Sequence, residues 1–418
     1  MAKVISKVAF DMRSTGDMSV HDLLKGRDAK FDNHFIRLEY RKSHERDTFK
    51  GSFSADPGRK TISGSAKSWT HSKDGRLQWE ITNASISASA VLKAAQTNKT
   101  KDDLAVIEKT FAGNDQITGS KFADKLFGYN GNDTIDGGLG GGIDKIDGGS
   151  GHDRVSYADS SKAFVVTLTG ATISTVLANG VSDDRIINIE DVAGGKAADI
   201  ITGDKKANLL IGNNGADLLT GLKGNDTLLG GNQSDTLNGG AGKDLLDGGK
   251  GADVLLGGGS DDTLLGGKGA DSLDGGAGKD SLNGGAGVDL LIGGGGRDTM
   301  TGGSEADTFR FTDVGQSGLT ATDRDLITDF KHKQDKIDLS AIDAISSTVG
   351  IDDAFTWDGK GTVKTKHAEG HFGYYQVNAK GTANDHTYIV VNNDSDKAPE
   401  MTIELQGLVK LGPIDFIL

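Results

Sequence analysis

The fold is decided by a nine-residue pattern, Gly239-Gly240-Ala241-Gly242-Lys243-Asp244-Leu245-Leu246-Asp247, which recurs with a fixed period between Gly194 and Thr308. An acidic residue returns at every ninth position, and an apolar residue follows it two positions later. The acidic positions are Asp199, Asp217, Asp226, Asp235, Asp244, Asp253, Asp262, Asp271, Asp280, Asp289, Asp298 and Asp307, with Asn208 in place of one carboxylate. A short fixed period indicates that one supersecondary unit is stacked repeatedly.

The order of residues within the unit predicts its local structure. Glycines at the first, second and fourth positions permit positive φ angles, so a sharp turn is expected there. The three residues Leu245 to Asp247 are predicted to form a short strand, with the middle apolar side chain facing inward. A disordered glycine-rich linker would not keep an apolar residue in register over so many units.

The residue types of the repeat indicate calcium. Residues 194–308 contain neither His nor Cys, so the available ligands are carboxylate and carbonyl oxygens. These are hard ligands, which suit Ca²⁺. Since one Asp per unit cannot supply the six to eight oxygens that Ca²⁺ takes, each ion is expected to be shared between units.

A shorter block of the same repeat runs from Gly113 to Val155. Its candidate metal ligands are Asp115, Asp124, Asp133, Asp144 and Asp153. A two-residue insertion at Leu139–Gly142 breaks the spacing, so Asp144 is expected in a distorted turn that binds weakly. Residues 156–193 interrupt the repeat with longer alternating stretches, and are predicted to form an insert that continues the β-helix.

Several units of the main block, residues 194–308, depart from the pattern. Asn208 lacks the carboxylate, and Gln233, Ser260 and Glu305 replace the fourth-position glycine. Weaker metal sites are expected at these turns.

These units resemble the glycine-rich nonapeptide repeats of RTX proteins, a calcium-binding parallel β-helix motif. The resemblance implies a right-handed parallel β-helix, or β-roll, in which two nonapeptides make one coil and residues 18 apart share an ion. Asp217 would then face Asp235 along one edge, and Asp226 would face Asp244 along the other. The number of Ca²⁺ ions implied is on the order of ten.

Residues 309–418 resemble the C-terminal domain of serralysin-type secreted metalloproteases. The matching stretches are Asp307–Phe311, Ile327–Phe330, Asp335–Ser340 and Asp415–Leu418. The resemblance implies that the last four residues belong to an uncleaved signal read by a type I ABC exporter. Strands are expected at Tyr374–Val377, Thr387–Val391 and Met401–Leu405.

Residues 1–112 are predicted to form a small β-rich domain. Alternating stretches lie at His34–Tyr40, Thr48–Phe53, Lys60–Trp69 and Leu77–Ile81. A short helix is expected at Val20–Leu24, and a helix and linker within Ala88–Ala112. The predicted fold class is therefore all-β, a β-roll solenoid with a β-rich N-terminal domain and a β-rich C-terminal cap.

The charge is unevenly distributed. Residues 1–112 hold 20 Lys and Arg against 14 Asp and Glu, a net of +6, and the remaining residues hold 26 against 46, a net of −20. An acidic repeat repels nucleic acid and anionic lipid and attracts cations. No apolar run reaches the length of a transmembrane helix, and Met1–Lys7 lacks the apolar region of a cleavable signal peptide. A secreted, extracellular protein is expected, exported without a cleaved signal.

The sequence contains no complete copy of several known catalytic motifs. His367 and His371 have the spacing of a zinc-protease motif, but Glu369 stands in the wrong position and the neighbouring glycines indicate a loop. There is no Gly-x-Ser-x-Gly motif, and the absence of Cys excludes a thiol nucleophile. The serralysin resemblance does not extend to a protease domain. A non-enzymatic protein is therefore expected.

The function expected from the sequence is a secreted calcium-binding protein that folds on binding Ca²⁺ after type I export, and that binds a glycan or surface ligand through residues 1–112. One alternative is a polymer-degrading enzyme with a site near His34–Arg46. Another is a haem protein, since Gly16–Leu24 resembles the start of secreted haem-acquisition proteins and His34, Tyr40 or His71 would ligate the iron. A membrane-active protein is the third.

Overall fold

The computed structural model describes the chain in two compact units, Met1–Lys196 and Ala197–Leu418. Before residue 113 it describes only the backbone of the strands, and from there on it covers 113–119, 123–138, 142–342, 355–361, 370–377, 385–393 and 399–418. The described residues contain β-strands and two short 3₁₀ turns, Val314–Gln316 and Pro413–Asp415, but no α-helix. No helix among them is long and apolar enough to cross a membrane.

In the part of the chain that the structure describes, the first unit contains 15 strands. They are β1 (Lys3–Ser6), β2 (Lys30–Asp32), β3 (Phe35–Tyr40), β4 (Glu45–Asp56), β5 (Thr61–Lys73), β6 (Arg76–Ser87), β7 (Gln116–Thr118), β8 (Lys125–Phe127), β9 (Thr134–Asp136), β10 (Lys145–Asp147), β11 (Arg154–Ser156), β12 (Phe164–Thr167), β13 (Ser174–Ala178), β14 (Val181–Ile187) and β15 (Asp191–Ala193).

The N-terminal strands form an antiparallel meander. Strands β2 to β6 pair in chain order, and β1 pairs antiparallel with β6 and parallel with β7. All four strands predicted from alternation are present, and β4 to β6 are longer than predicted because the hairpins extend to their turns. The short β1 and β2 were missed. The helix predicted at Val20–Leu24 and the helix and linker predicted within Ala88–Ala112 lie outside the described residues.

The repeat block of the first unit forms short parallel coils. Strands β7, β9, β11 and β15 pair in parallel on one side, and β8, β10 and β14 on the other. Strands β12, β13 and β14 form an antiparallel insert whose last strand joins the parallel sheet through β10. The insert thus shares hydrogen bonds with the coils.

Among its described residues, the second unit contains 20 strands. They are β16 (Ile200–Thr202), β17 (Leu209–Asn214), β18 (Leu218–Lys223), β19 (Thr227–Asn232), β20 (Thr236–Ala241), β21 (Leu245–Lys250), β22 (Val254–Gly259), β23 (Thr263–Lys268), β24 (Ser272–Gly278), β25 (Ser281–Ala286), β26 (Leu290–Gly296), β27 (Thr299–Ser304), β28 (Thr308–Arg310), β29 (Leu326–Ile327), β30 (Lys336–Asp338), β31 (Thr356–Lys360), β32 (His371–Val377), β33 (His386–Asn392), β34 (Met401–Gln406) and β35 (Phe416–Ile417).

These strands form two parallel sheets with a repeat of 18 residues. The even-numbered strands β16 to β30 pair in sequence on one side, and the odd-numbered strands β17 to β29 on the other. Leu246, for example, pairs with Leu264 and Leu228. Two nonapeptides therefore make one coil, as the resemblance implied.

One apolar side chain per nonapeptide fills the interior between the sheets. Leu237, Leu246 and Leu255 are fully buried, and the same position is buried in every unit from Ile201 to Phe309. Strand residues alternate between the faces of a sheet, so the neighbours of each Leu lie on the outer face. The core is one side chain thick at each level, which explains how a chain with 6% aromatic residues fills it.

The three glycines of the unit have different roles. The second and fourth adopt positive φ, as at Gly249 (94°) and Gly251 (142°), and this agrees with the sequence prediction. The first does not, so for that position the prediction was wrong. At Gly248 a Cβ would lie 2.5 Å from Oδ2 of Asp253 and 2.8 Å from the carbonyl oxygen of Gly266. The first glycine is therefore required by space.

The C-terminal residues extend the coils. Strands β31 to β34 form a sheet that joins β29 through β34, while β35 adds to β30. The three strands predicted in this region are confirmed by β32, β33 and β34. The expectation of a loop around His371 was wrong: His371 and Gly373 lie in β32 and pair with Asn392 and Val390. His367 lies outside the described residues.

We expect the Gly248→Ala substitution to lower the stability of the calcium-loaded protein, because the added methyl group meets a carboxylate oxygen and a backbone carbonyl. The cost should be about 1–3 kcal/mol, the range for overpacking a core. The matched control is Gly259→Ala, where a Cβ has no neighbour within 4 Å and φ is not positive. Urea denaturation in saturating Ca²⁺ measures both, and equal midpoints for the two variants would contradict the spatial role of the first glycine.

Candidate metal centre

The aspartates of the repeat form two rows, one along each edge of the coil. In each row the backbone N–H of an aspartate donates to Oδ1 of the next row member, normally 18 residues later. Asp235 donates to Asp253 at 2.8 Å, and Asp244 donates to Asp262 at 2.8 Å. The first row comprises Asp199, Asp217, Asp235, Asp253, Asp271, Asp289, Asp307 and Asp335. The second comprises Asn208, Asp226, Asp244, Asp262, Asp280, Asp298 and Asp325.

The position of each aspartate follows from the local fold. Asp244 comes directly after the turn at Gly242 and directly before β21, so its side chain is enclosed between the turn and the next coil. Row members from Asp199 to Asp335 are at most 3% exposed. Burial of so many carboxylates in two rows is unusual, because an isolated charge is costly in a protein interior.

In most of the row carboxylates only one oxygen is satisfied, whereas in Asp335 Oδ2 also accepts the N–H of Lys331 at 2.8 Å. Oδ1 accepts the backbone N–H, whereas Oδ2 is buried and makes no hydrogen bond. This holds for Asp133, Asp153, Asp217, Asp226, Asp235, Asp244, Asp253, Asp262, Asp271, Asp280, Asp289, Asp298, Asp307 and Asp325. Buried polar atoms are nearly always paired, so a repeated unpaired oxygen indicates a missing partner.

A cation fits the surroundings of these oxygens. A Cβ placed on Gly239 would lie 2.5 Å from Oδ2 of Asp244 and 2.8 Å from the carbonyl oxygen of Gly257. A carboxylate oxygen and a carbonyl oxygen of the neighbouring coil therefore surround the same small space. Among the described residues, no three His, Cys, Asp or Glu side chains converge as a metal site. Ca²⁺ held here would thus take backbone carbonyls as well as carboxylates.

The charge of the rows is unfavourable without a cation. Burial, together with the neighbouring row carboxylates, raises the pKa of Asp235 and Asp262 to about 7 and of Asp289 to about 6, although the backbone hydrogen bond opposes the rise. An aspartate in the unfolded chain titrates near 3.9. The calcium-free fold therefore loses stability as the pH rises from about 4 to about 7, because the unfolded chain gives up its protons first.

The irregular units keep the row geometry. Asn208 donates its backbone N–H to Oδ1 of Asp226 at 2.8 Å, but its side chain brings no charge. Gln233, Ser260 and Glu305 adopt φ angles of 74°, 84° and 75°, so these turns are formed without glycine. Whether their metal sites are weaker stays a prediction.

The repeat block of the first unit contains the same arrangement. Asp115 donates to Asp133, Asp133 to Asp153, and Asp124 to Asp144, with distances of 2.7–2.9 Å. The insertion before Asp144 lengthens the interval to 20 residues and leaves its Oδ1 in hydrogen-bonding register. The central residues of that insertion, 139–141, lie outside the described residues.

The sequence analysis missed four acidic members of the rows. Asp325 and Asp335 accept from Asp298 and Asp307, and Asp184 and Glu190 accept from Asp144 and Asp153. A signal was present: each is followed two positions later by a buried apolar residue. Those residues are Ile327, Ile337, Ile186 and Val192. Longer segments precede these positions and break the nine-residue period, so the period alone does not identify them.

We expect Asp262→Asn to weaken calcium binding while preserving the coil, since Asn keeps an oxygen acceptor for the Asp244 N–H but loses the charge. The calcium midpoint should rise several-fold, and in EGTA the effect should reverse, because a buried charge has been removed. Calcium titrations measure the first effect, and the residual β-structure signal in EGTA measures the second. The matched control is Asp261→Asn, whose side chain is 48% exposed and lies outside the row. Loss of stability in EGTA would contradict the electrostatic account.

Comparison with known proteins supports the assignment of the repeat. The family described as RTX calcium-binding nonapeptide repeat (4 copies) matches residues 110–143, 139–159, 193–228, 220–255, 229–264, 256–291 and 274–309. No curated protein matches the chain.

Among solved structures, the R2 subunit of the mannuronan C5-epimerase AlgE6 of Azotobacter vinelandii is 31% identical over 39% of this chain and 90% of that one, with a TM-score of 0.27. The R3 subunit of AlgE6 is 30% identical over 35% and 71%, with a TM-score of 0.24. The extracellular lipase LipA of Serratia marcescens is 14% identical over 73% of this chain and 38% of that one, with a TM-score of 0.16.

Two rows of buried aspartates on a parallel β-solenoid, in the units that the family model matches, are the structural form of this repeat. RTX nonapeptide repeats bind Ca²⁺, and proteins that carry them are typically secreted. The chain belongs to the family of RTX calcium-binding nonapeptide-repeat proteins, and it is a calcium-binding β-roll.

Proposed function

We propose that this protein leaves the cell through a type I ABC exporter as an unfolded chain and folds outside when the aspartate rows bind Ca²⁺. The observation that carries the proposal is the series of buried Oδ2 atoms without a hydrogen bond. In calcium-poor cytoplasm these charges oppose folding. In an extracellular medium a cation neutralises them.

The ligands proposed for the ions are the row aspartates of both units. They are Asp115, Asp124, Asp133, Asp144, Asp153, Asp199, Asp217, Asp226, Asp235, Asp244, Asp253, Asp262, Asp271, Asp280, Asp289, Asp298 and Asp307, extended by Asp325 and Asp335. With on the order of ten ions and extracellular affinities of about 10⁻⁴ to 10⁻³ M, each site contributes about 1.4 kcal/mol at tenfold excess. Together such sites are comparable to the stability of a whole domain, about 5–15 kcal/mol.

The C-terminal stretch is proposed to carry the export signal, and in the folded chain Asp415 and Phe416 are buried while Ile417 and Leu418 are exposed. The Asp415 carboxylate contacts Nδ1 of His332 at 2.8 Å and accepts the N–H of Gly412 at 2.7 Å. Phe416 packs on Phe372 with ring centroids 4.7 Å apart. An exporter that reads Asp415 and Phe416 would therefore have to meet the chain before these contacts form, which agrees with folding after export.

We expect far-UV circular dichroism of the purified chain to show β-structure in millimolar Ca²⁺ and a largely disordered spectrum in EGTA, with recovery when Ca²⁺ is restored. Mg²⁺ at the same concentration is the control for ionic strength, because it demands octahedral geometry and keeps its waters. A full β-signal in EGTA at pH 7.5 would overturn the calcium-dependent folding.

Outside the cell, we propose a non-enzymatic binding or adhesion role carried by residues 1–112. The support is charge: this segment is net +6 while the remaining residues are net −20. A basic segment attracts polyanions, so an acidic glycan is the ligand class that the charge favours. The residues named for two of the alternatives, an enzyme acting on a polymer and a haem protein, have no described side chains. These two and a membrane-active protein remain the alternatives.

We expect the full-length protein in Ca²⁺ to bind acidic polysaccharides in preference to neutral ones, and the binding to weaken as NaCl is raised, because exposed charges are screened within about 10 Å at 0.1 M salt. A glycan array read at two salt concentrations measures this. The chain length of the bound polymer is followed over time as the control. Degradation of the polymer would favour the enzyme, and absence of any salt-sensitive binding would contradict the adhesion role.

A further inference from the structure

A row of four residues crosses the outer face of the C-terminal sheet. Tyr375 of β32 pairs with Tyr388 of β33, and Tyr388 pairs with Glu404 of β34. Glu404 in turn pairs with Leu326 of β29, which lies two residues after Arg324. The strand residues on either side of Tyr388 and of Glu404 are fully buried, so the row lies on the face directed away from the core. We call Tyr375, Tyr388, Glu404 and Arg324 the transverse row.

Glu404 holds the transverse row together. Its Oε2 lies 2.8 Å from Nε of Arg324, and its Oε1 lies 3.0 Å from Nδ1 of His386. The hydroxyl of Tyr388 donates to the same Oε1 at 3.4 Å. The Glu404 and Arg324 side chains are 12% and 14% exposed, so their positions are fixed within the protein. Since the carboxylate and the guanidinium neutralise each other, the transverse row carries no net charge.

The two tyrosines form a stacked aromatic surface. Their ring centroids are 5.0 Å apart, and their planes are inclined by 27°. The guanidinium carbon of Arg324 lies 4.7 Å from the centroid of Tyr388, at the distance of a cation–π contact. Tyr388 therefore has a partner on each side in the row, whereas Tyr375 stands at the end of it. Both tyrosines are partly exposed.

The side of Tyr375 away from Tyr388 faces the end of β31. Lys360, the last residue of β31, pairs with Tyr374, and Gly361 donates its N–H to the carbonyl oxygen of Tyr374 at 2.7 Å. Gly361 brings no side chain to the position beside Tyr375. Among the described residues, Tyr388 supplies the ring contact that Tyr375 makes. A flat aromatic face therefore lies open beside polar groups that the protein already holds in place.

The size and the charge of this surface define the class of ligand. A stable protein interface buries about 800 Å² on each partner, whereas a whole aromatic side chain buries about 150–250 Å², so the surface is too small for a protein. The cancelled charge favours an uncharged ligand. A flat apolar face edged by a few fixed polar groups fits a small ring with hydroxyl groups. A pyranose is such a ring, because its C–H groups form an apolar face and its hydroxyls lie around the edge.

We propose that the transverse row binds a neutral saccharide, with a pyranose ring packed on Tyr375 and its hydroxyls bonded to the Tyr375 hydroxyl and the His386 ring. His386 lies on the same face, two residues before Tyr388, and its side chain is 22% exposed. Glu404 and Arg324 are positioning residues that keep Tyr388 and His386 in place. The site uses no carboxylate of the aspartate rows. It goes beyond calcium-dependent folding and beyond the acidic-glycan binding proposed for residues 1–112.

An array of neutral hexose and N-acetylhexosamine oligosaccharides tests the site, with the full-length protein in Ca²⁺ at low and at high NaCl. Binding should persist at high NaCl, because an uncharged ligand has no charge to screen. This distinguishes it from the salt-sensitive binding expected of residues 1–112. Tyr375→Ala should weaken the binding about tenfold or more, since the aromatic anchor is lost. Tyr375→Phe should keep most of the binding, because the ring remains.

The matched control is Val377→Ala, which alters a 39% exposed apolar residue of the same strand outside the transverse row and should leave the binding unchanged. Circular dichroism in saturating Ca²⁺ verifies the fold of each variant. If Tyr375→Ala does not fold, Gly361→Leu decides instead, because it keeps the tyrosine but places a side chain against its open face and should abolish binding. The proposal is overturned if no neutral saccharide binds, if a folded Tyr375→Ala binds as well as the unaltered protein, or if Val377→Ala loses binding to the same extent.

Discussion

The solenoid depends on one contact, the hydrogen bond from the backbone N–H of one aspartate to the carboxylate of the aspartate one coil later. It fixes the register of the coils, as between Asp253 and Asp271 at 2.9 Å, and it also brings like charges into a buried row. The contact that orders the fold therefore creates the charge that destabilises it. A cation between the coils would resolve this conflict, because it would neutralise the second oxygen without competing for the first.

The glycines follow from the same contact. A carboxylate can lie against the neighbouring backbone only if that backbone carries no side chain at the point of contact. A methyl group added to Gly248 would therefore collide with Asp253. The second and fourth positions require a positive φ angle, and this requirement is weaker because residues other than glycine meet it. Leu222 and Gln233 meet it with φ angles of 76° and 74°.

The repeat predicts the coil, its core and both rows because the information is local and periodic. The nine residues of one unit are enough to predict that Leu246 is buried and that Asp244 lies in its row. Asp325 and Glu190 were missed because loops of irregular length precede them, and only the pairing of strands shows that they return to the row.

The periodic pattern of the sequence predicts more about the C-terminal end of the chain than about the N-terminal end. The C-terminal strands add to the sheets through β34 and β35, so their position continues the coil. Asp415 is buried because it lies at the end of a sheet. In the N-terminal strands the residue types alternate with period two, and the strands form an antiparallel meander. This pattern predicts which strands are neighbours but does not identify a ligand. The excess of basic residues in the N-terminal segment sets it apart from the acidic coils. A polyanion would therefore be attracted to the N-terminal segment and repelled by the coils, whose negative charge attracts cations.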